Sequence, residues 1–224
     1  LGLCLEVTVA LVTWNVDHIS DELHLATSSR WHVDPGATSL NCRAPVEAGK
    51  LAGMAHHGPG PSIIRKRIVA DLDTRRSPLH VAVENVEHDL NIGSIVRTAN
   101  AFNAASVRVV GRRRWNKRGA MVTDRYLTVM HHPTIEDFAN YCKEQNLPII
   151  GIDNVPGSKQ LESAQLPESC VLLFGQEGAG MSDEGIAVCE VLYEINQYGS
   201  TRSMNASAAG AIAMYHWALQ HLPR

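Results

Sequence analysis

From residue 77 onward, short apolar runs alternate with amphipathic stretches almost to the end of the chain, and few folds accept that order. "LHVAVEN" (79–85), "SVRVVG" (106–111), "YLTVM" (126–130), "LPIIGID" (147–153), "CVLLFG" (170–175) and "VLYEI" (191–195) read as strands. Helical patterns fall between them: 93–103, 134–146 behind the cap-like "TIED", 182–189 behind "SDEG", and 205–221. Most of the strand runs are apolar throughout, as expected of strands covered on both faces in a largely parallel sheet. The expected class is therefore α/β, a mostly parallel sheet flanked by helices.

Ahead of the first strand, "IIRKRIVADLDTRR" (63–76) is basic and suits a short helix. Residues 34–62 are rich in Gly, Pro and Ala and hold no sustained period, which reads as a linker or loosely ordered arm. The expected organisation is an irregular extension over 1–62 and one globular domain over 63–224, long enough to bury a core without disulfide or metal staples. The opening "LGLCLEVTVALVTW" is shorter than the roughly 20 residues a membrane helix needs and lacks a basic leading segment, so no membrane partner is expected. Cys4, Cys42, Cys142, Cys170 and Cys189 are odd in number, scattered and free of C-x-x-C spacing, which fits a reducing, cytoplasmic compartment. The net charge of -3 argues neither for nor against a nucleic-acid partner, because a basic patch can sit inside an acidic total. The pairs His56-His57 and His131-His132 have no Cys or acid spaced to complete a tetrahedral set, so no metal is expected. In the last helix Ala209, Ala213 and Trp217 share a face whose small residues suggest close packing, a second subunit being one candidate neighbour.

Four constellations bear on chemistry. "NIGSIVRTANAF" (91–102) sets Asn91, Gly93 and Arg97 at a strand-to-helix junction. An Arg early in a helix is usually a solvated surface residue. This one follows the carboxyl end of a strand, where ligands bind in open α/β sheets, and its fork of donors suits a phosphate or ribose. In "LLFGQEGAGMSDEG" (172–185) the glycines at 175, 178 and 180 allow close approach of a ligand to bare backbone amides. A glycine turn for its own sake explains the glycines and leaves Glu177 to face water. A dinucleotide site gains support from Glu194, near the distance of a ribose-binding acid. The order G-x-x-G-x-G opposes it, since the fingerprint is G-x-G-x-x-G, and Glu177 would meet the pyrophosphate. "QYGSTRSMNASAAGAIAMYHW" (197–217) gathers Ser203, Asn205 and Ser207 around one helix start, more than capping needs. "GRRRWNKRG" (111–119) sets Arg112, Arg113, Arg114, Lys117 and Arg118 around Trp115, with Arg108 and Arg125 flanking. Such a run is ordinarily a solvated loop; the alternative is phosphate contact plus stacking on single-stranded RNA.

Taken in order, N-x-G-x-x-x-R at 91–97, F-G-x-E-G-x-G-M at 174–181 and S-x-N-x-S at 203–207 resemble the SpoU/TrmH family of RNA 2'-O-ribose methyltransferases, within the SPOUT superfamily. The resemblance covers roughly residues 77–222 and departs from the family pattern in "SMNAS" for S-L-N-V-S and in Ile195-Asn196 for Ile-Pro. It implies a carboxyl-terminal deep trefoil knot, a rare exception to unknotted topology, and a homodimer with sites near the subunit interface. It implies S-adenosyl-L-methionine as cofactor, held by Phe174, Gly175, Gly178, Gly180, Ile195 and Met204; this cofactor carries no phosphate, which removes the objection raised by Glu177. The implied catalytic positions are Asn91, Arg97, Glu177, Ser203 and Asn205. The implied partner is tRNA or rRNA, with Arg112, Arg113, Arg114, Lys117 and Arg118 as RNA contacts. Under this reading Arg97 binds the adjacent phosphate and the charge developing on the 2'-oxygen, because a guanidinium is a poor base; the alternative role implied by the resemblance is that Arg97 is itself the base. The rival readings are a non-catalytic RNA-binding relative and a dinucleotide-dependent oxidoreductase.

Overall fold

Leu79, Val81, Ala82 and Val83 lose all contact with solvent, as do Cys170, Val171, Leu172 and Leu173. Their strands pair with each other in the middle of a seven-stranded sheet, so both faces are covered. The structure is a computed structural model that describes residues 61–86, 91–176, 178–200 and 203–223. Its strands are β1 (Ser77–Asn85), β2 (Ala104–Gly111), β3 (Val129–His132), β4 (Ile149–Ile152), β5 (Lys159–Gln160), β6 (Cys170–Phe174) and β7 (Val191–Glu194). The helices are α1 (Pro61–Asp73), α2 (Ile92–Ala101), α3 (Ile135–Glu144), α4 (Asp183–Val188) and α5 (Ala206–His221).

The sheet order is β3-β2-β1-β6-β4-β7-β5 and every pairing is parallel. The chain lays β2 and β3 to one side of β1 and then crosses to the other, with β6 inserted between β1 and β4. Direction therefore reverses around β1, β6 and β4, and the crevice at their carboxyl ends is where such a sheet receives a ligand.

Alternation along the strands divides the core into two layers. Leu79, Val81, Val83, Leu172 and Phe174 pack with Ile92, Ile95 and Val96 of α2 and Met214 and Trp217 of α5. Ala82, Val171 and Leu173 pack on the other face with Phe138 and Cys142 of α3 and with Met181. Local chemistry fixes the helix starts: Thr134 caps α3 by accepting from the Asp137 amide at 3.1 Å, and Ser182 caps α4 by accepting from the Gly185 amide at 3.0 Å.

Five sequence expectations change. Ala213 and Trp217 of α5 are fully buried in the chain's own core, where Trp217 Nε1 donates to the carbonyls of Pro167 (3.1 Å) and Glu168 (3.2 Å). The small-residue face thus serves the domain itself, while Ile212, Tyr215 and Leu219 are exposed. Strand β3 starts at Val129 rather than 126, because residues 123–125 close a 3-10 turn after Met121 and Val122, which sit at φ 46° and 71°. Strand β5 has two exposed residues, too short to register as a period. Arg108, read as flanking a surface basic run, is 1% exposed; it stacks 3.7 Å from the Tyr141 ring centroid and lies 3.0 Å from His132 Nε2. Helix α1 begins at Pro61, two residues before the expected domain start; the remainder of the expected extension, with Cys4, Cys42 and the His56-His57 pair, lies outside the described residues. Among the described residues no group of His, Cys, Asp and Glu is placed to hold a metal, and no helix is long and apolar enough to cross a membrane.

Candidate cofactor and RNA site

The loop after β6 can turn at once only because residue 175 is glycine. A Cβ there would stand 2.2 Å from the Met181 amide nitrogen and 2.3 Å from the Gly180 carbonyl carbon. The returning strand of the loop is that close because Gln176 and Gly180 exchange two backbone hydrogen bonds, both 3.1 Å. Gly178 and Gly180 complete the turn at φ 90° and 73°, values that favour glycine. This loop, the carboxyl end of β4 and the segment leading into α5 enclose a cavity of about 470 Å³, within the usual range for small-molecule sites.

All six residues expected at the cofactor line that cavity: Phe174, Gly175, Gly178, Gly180, Ile195 and Met204. Ser203 and Asn205, expected to be catalytic, line it too. Asn205 also connects the third motif to the first. Its Oδ1 caps α5 by accepting from the amides of Ser207 (3.0 Å) and Ala208 (3.3 Å), and its Nδ2 donates to Asn91 Oδ1 at 2.9 Å. Asn91 is 8% exposed at the start of α2. Arg97 is exposed on α2 and is not a lining residue of the cavity. Glu177 lies outside the described residues.

Sequence reasoning passed over three lining or bracing residues. Asp153 follows β4, lines the cavity, and its Oδ2 accepts from the Met181 amide at 2.6 Å. Glu84 of β1, 1% exposed, accepts at Oε2 from the Ser182 amide at 2.8 Å. Gln197 lines the cavity with a buried Oε1 that has no hydrogen-bond partner among the described residues. The signal for the first two was present: acids at the carboxyl ends of apolar strands are costly unless something pairs with them.

The basic run packs beside the start of α2, the helix that Asn91 opens. Gly93 of α2 and Gly119 touch so closely that a Cβ on Gly93 would stand 2.8 Å from the Ala120 nitrogen and 2.9 Å from the Asn116 oxygen. Asn85, fully buried at the end of β1, donates from Nδ2 to the carbonyls of Arg112 (2.6 Å) and Arg114 (3.0 Å). The loop is thereby pinned beside the start of α2 with Arg112, Arg113, Arg114, Lys117 and Arg118 exposed. Two members differ from a simple phosphate-and-stacking patch. Lys117 is paired with Asp124 at 3.0 Å, and Trp115 is half-buried against the core with Lys117 Nζ 5.4 Å from its ring centroid.

The dinucleotide alternative loses its geometry here. Its glycines should open directly into a helix, whereas α4 starts only at Asp183 and spans six residues.

Comparison with known proteins places the chain in a family. Residues 78–215 match the SpoU rRNA Methylase family. A tRNA (guanosine(18)-2'-O)-methyltransferase of Escherichia coli is 29% identical over 155 residues, 66% of this chain and 66% of that protein; the chain thus spans about two thirds of that relative's length. The 23S rRNA (guanosine-2'-O-)-methyltransferase RlmB of Bordetella pertussis is 29% identical over 188 residues, 76% of this chain and 75% of that protein. Among solved structures, the A. aeolicus TrmH/SpoU tRNA modifying enzyme superposes with a TM-score of 0.62 at 22% identity, covering 70% of this chain and 82% of that one. The SpoU methyltransferase AviRb from Streptomyces viridochromogenes, in complex with AdoMet, gives 0.59 at 23% identity over 67% and 60%. Likeness at that identity concerns the fold; the match over residues 78–215, more than half of the 224, decides the family, and this chain belongs to the SpoU rRNA Methylase family.

Proposed function

We propose that this chain transfers the methyl group of S-adenosyl-L-methionine to a ribose 2'-hydroxyl of tRNA or rRNA. The observation that carries the reading is the Asn205–Asn91 hydrogen bond at 2.9 Å, which joins the first and third motifs beside the cavity walled by the second. The printed activities of the two 29% identical relatives, one on tRNA and one on 23S rRNA, support the same reaction class.

The cavity suits the cofactor in size and chemistry. Gly175, Gly178 and Gly180 bring backbone to its wall, and Phe174, Ile195 and Met204 give it apolar surface. When bound, S-adenosylmethionine supplies an electrophilic methyl on a sulfonium. What the chain adds is placement and charge. Ser203 and Asn205 orient the ribose and the loop that carries them, Asn91 fixes Asn205, and exposed Arg97 binds the neighbouring phosphate and the developing charge on the 2'-oxygen. Glu177 completes the set by holding Arg97 or its own loop. The basic run leads the RNA backbone toward α2.

The reading includes a homodimer and a knotted carboxyl-terminal segment in a reducing, cytoplasmic setting. The exposed stripe Ile212, Tyr215 and Leu219 on α5 supports the first. Ile195, Gln197, Ser203, Met204, Asn205 and Ala206 lining the same cavity as the loop after β6 support the second, and the unpaired Cys142, Cys170 and Cys189 fit the third. Calorimetric titration with S-adenosylmethionine and with NAD, followed by mass spectrometry of ribose methylation in tRNA and rRNA incubated with the protein, tests the proposal. Binding of the first ligand alone and appearance of a 2'-O-methyl nucleotide are expected; NAD binding, or RNA binding without methylation, would overturn it.

A further inference from the structure

Strands β1 and β4 flank β6, and the register sets Val83, Phe174 and Ile152 side by side. The next residue on each strand is therefore Glu84, Gly175 and Asp153, so two acids stand on either side of the glycine at which the cofactor loop leaves the sheet. Both point to the face occupied by α4, since Ala82 on β1 and Ile149 on β4 share their parity and pack there. When the loop returns, it meets them in order: the Met181 amide donates to Asp153 Oδ2 at 2.6 Å, and the Ser182 amide donates to Glu84 Oε2 at 2.8 Å. The Ser182 hydroxyl donates to the other oxygen of Glu84. Room for each acid is kept by a glycine, because a Cβ on Gly180 would stand 2.8 Å from Asp153 Oδ2 and one on Gly185 2.7 Å from Glu84 Oε1.

We propose that Glu84 and Asp153 are a pair of positioning residues that clamp consecutive peptide N–H groups, 181 and 182, and so hold the cofactor loop in its binding shape before the cofactor arrives. The inference rests on the assignment of this cavity to S-adenosylmethionine. Burying a carboxylate as deeply as Glu84 is costly unless hydrogen bonds receive it, and charge-assisted bonds from amides are the strong kind. Two such anchors on adjacent residues leave the intervening turn, already closed by the Gln176–Gly180 pair, little freedom to lose. A preordered loop spares the ligand that ordering cost, so loosening it weakens binding without removing a direct contact.

The test compares Asp153→Ala, Asp153→Asn, Glu84→Ala and Glu84→Gln with wild type in the full chain. Calorimetry with S-adenosylhomocysteine reads affinity, steady-state assays separate KM for the cofactor from kcat, and amide hydrogen exchange reads the loop itself. Asp153→Ala and Glu84→Ala are expected to bind at least tenfold more weakly, with KM raised more than kcat is lowered and exchange accelerated at residues 176–182 alone. Asp153→Asn and Glu84→Gln, which keep an acceptor for the Met181 and Ser182 amides, are expected to recover most of the affinity. Folded alanine variants that bind within twofold of wild type would overturn the clamp, as would a fall in their melting temperature with unchanged affinity and exchange spread over the whole sheet. If wild type itself fails to bind S-adenosylhomocysteine, the cofactor assignment falls, and the exchange comparison still decides whether the two acids hold the loop.

Discussion

Asn205 donates from Nδ2 to Asn91 Oδ1 at 2.9 Å across 114 residues of chain, while its own Oδ1 caps α5. One side chain thus sets both the start of the last helix and the alignment of two motifs. The roles separate by length. Serine caps as well as asparagine but is too short to reach Asn91, so Asn205→Ser is expected to keep stability within about 0.5 kcal/mol and to lose methyl transfer at least tenfold. Asn205→Ala is expected to lose the activity and also about 1 kcal/mol of stability. Urea unfolding beside a methyl-transfer assay checks both; full activity in the serine variant would remove the bridge from the mechanism.

Arg97 stands exposed on the solvent side of α2, whose buried face is Ile92, Gly93, Ile95, Val96 and Ala99. Its removal should cost the fold under about 0.5 kcal/mol. Arg97→Ala is expected to abolish methyl transfer while S-adenosylhomocysteine binds as in wild type, because Arg97 lies outside the cavity lining. Activity equal to wild type would contradict the role proposed for it.

The fold was legible because buried parallel strands declare themselves as apolar runs, and each expected strand and helix has its counterpart. What sequence hid was long-range pairing. Nothing local in "LHVAVEN" tells that Glu84 accepts from Ser182, 98 residues later, or in the residues around Gln197 that its Oε1 is buried with no partner among the described residues. Arg108 read as surface charge because it precedes a basic run, yet the parity of β2 turns it under Tyr141. The site motifs were legible as a set, since three separate polar-and-glycine clusters each follow a strand and exceed local structural need. The small residues of α5 were ambiguous for a physical reason: Ala and Gly permit close approach to any neighbour, the chain's own core included.

The basic run makes a graded prediction. Arg112, Arg113 and Arg114 are exposed and carry no ion pair among the described residues, whereas Lys117 is already neutralised by Asp124. Replacing the three arginines by glutamine is expected to weaken RNA binding and to reduce the salt slope by about 2, at roughly 0.7 per single-strand phosphate contact. Lys117→Gln should change that slope less than any one arginine replacement. Filter-binding titrations across salt concentrations measure it, and an unchanged slope in the triple variant would move the RNA path elsewhere.

His80 makes stability depend on pH. Burial first, and then the Arg108 charge, lower its pKa from 6.5 to about 4, and the same two causes lower that of His132. Below 6.5 the unfolded chain takes up protons that the folded chain refuses until about 4, so the stability these neutral rings allow is present at neutral pH and declines as pH falls through that window. The melting temperature should drop over this range. His80→Gln, which can keep the bond to Ser106 Oγ seen at 2.8 Å, should flatten the drop; an identical profile would assign it to other groups.

Gln197 offers a test in which two effects have opposite signs. Its Oε1 is buried in the cavity wall with no partner among the described residues, and an unsatisfied buried acceptor costs about 1–3 kcal/mol. A donor on the cofactor meets this oxygen only if the amide turns toward the cavity on binding. Methionine has nearly the same shape without the acceptor, so Gln197→Met is expected to raise the melting temperature of the ligand-free protein. The same variant is expected to bind S-adenosylhomocysteine about tenfold more weakly, a loss of about 1.4 kcal/mol. A rise in stability with unchanged affinity would show that the oxygen meets no ligand donor. A fall in stability would show that water or another group already satisfies it.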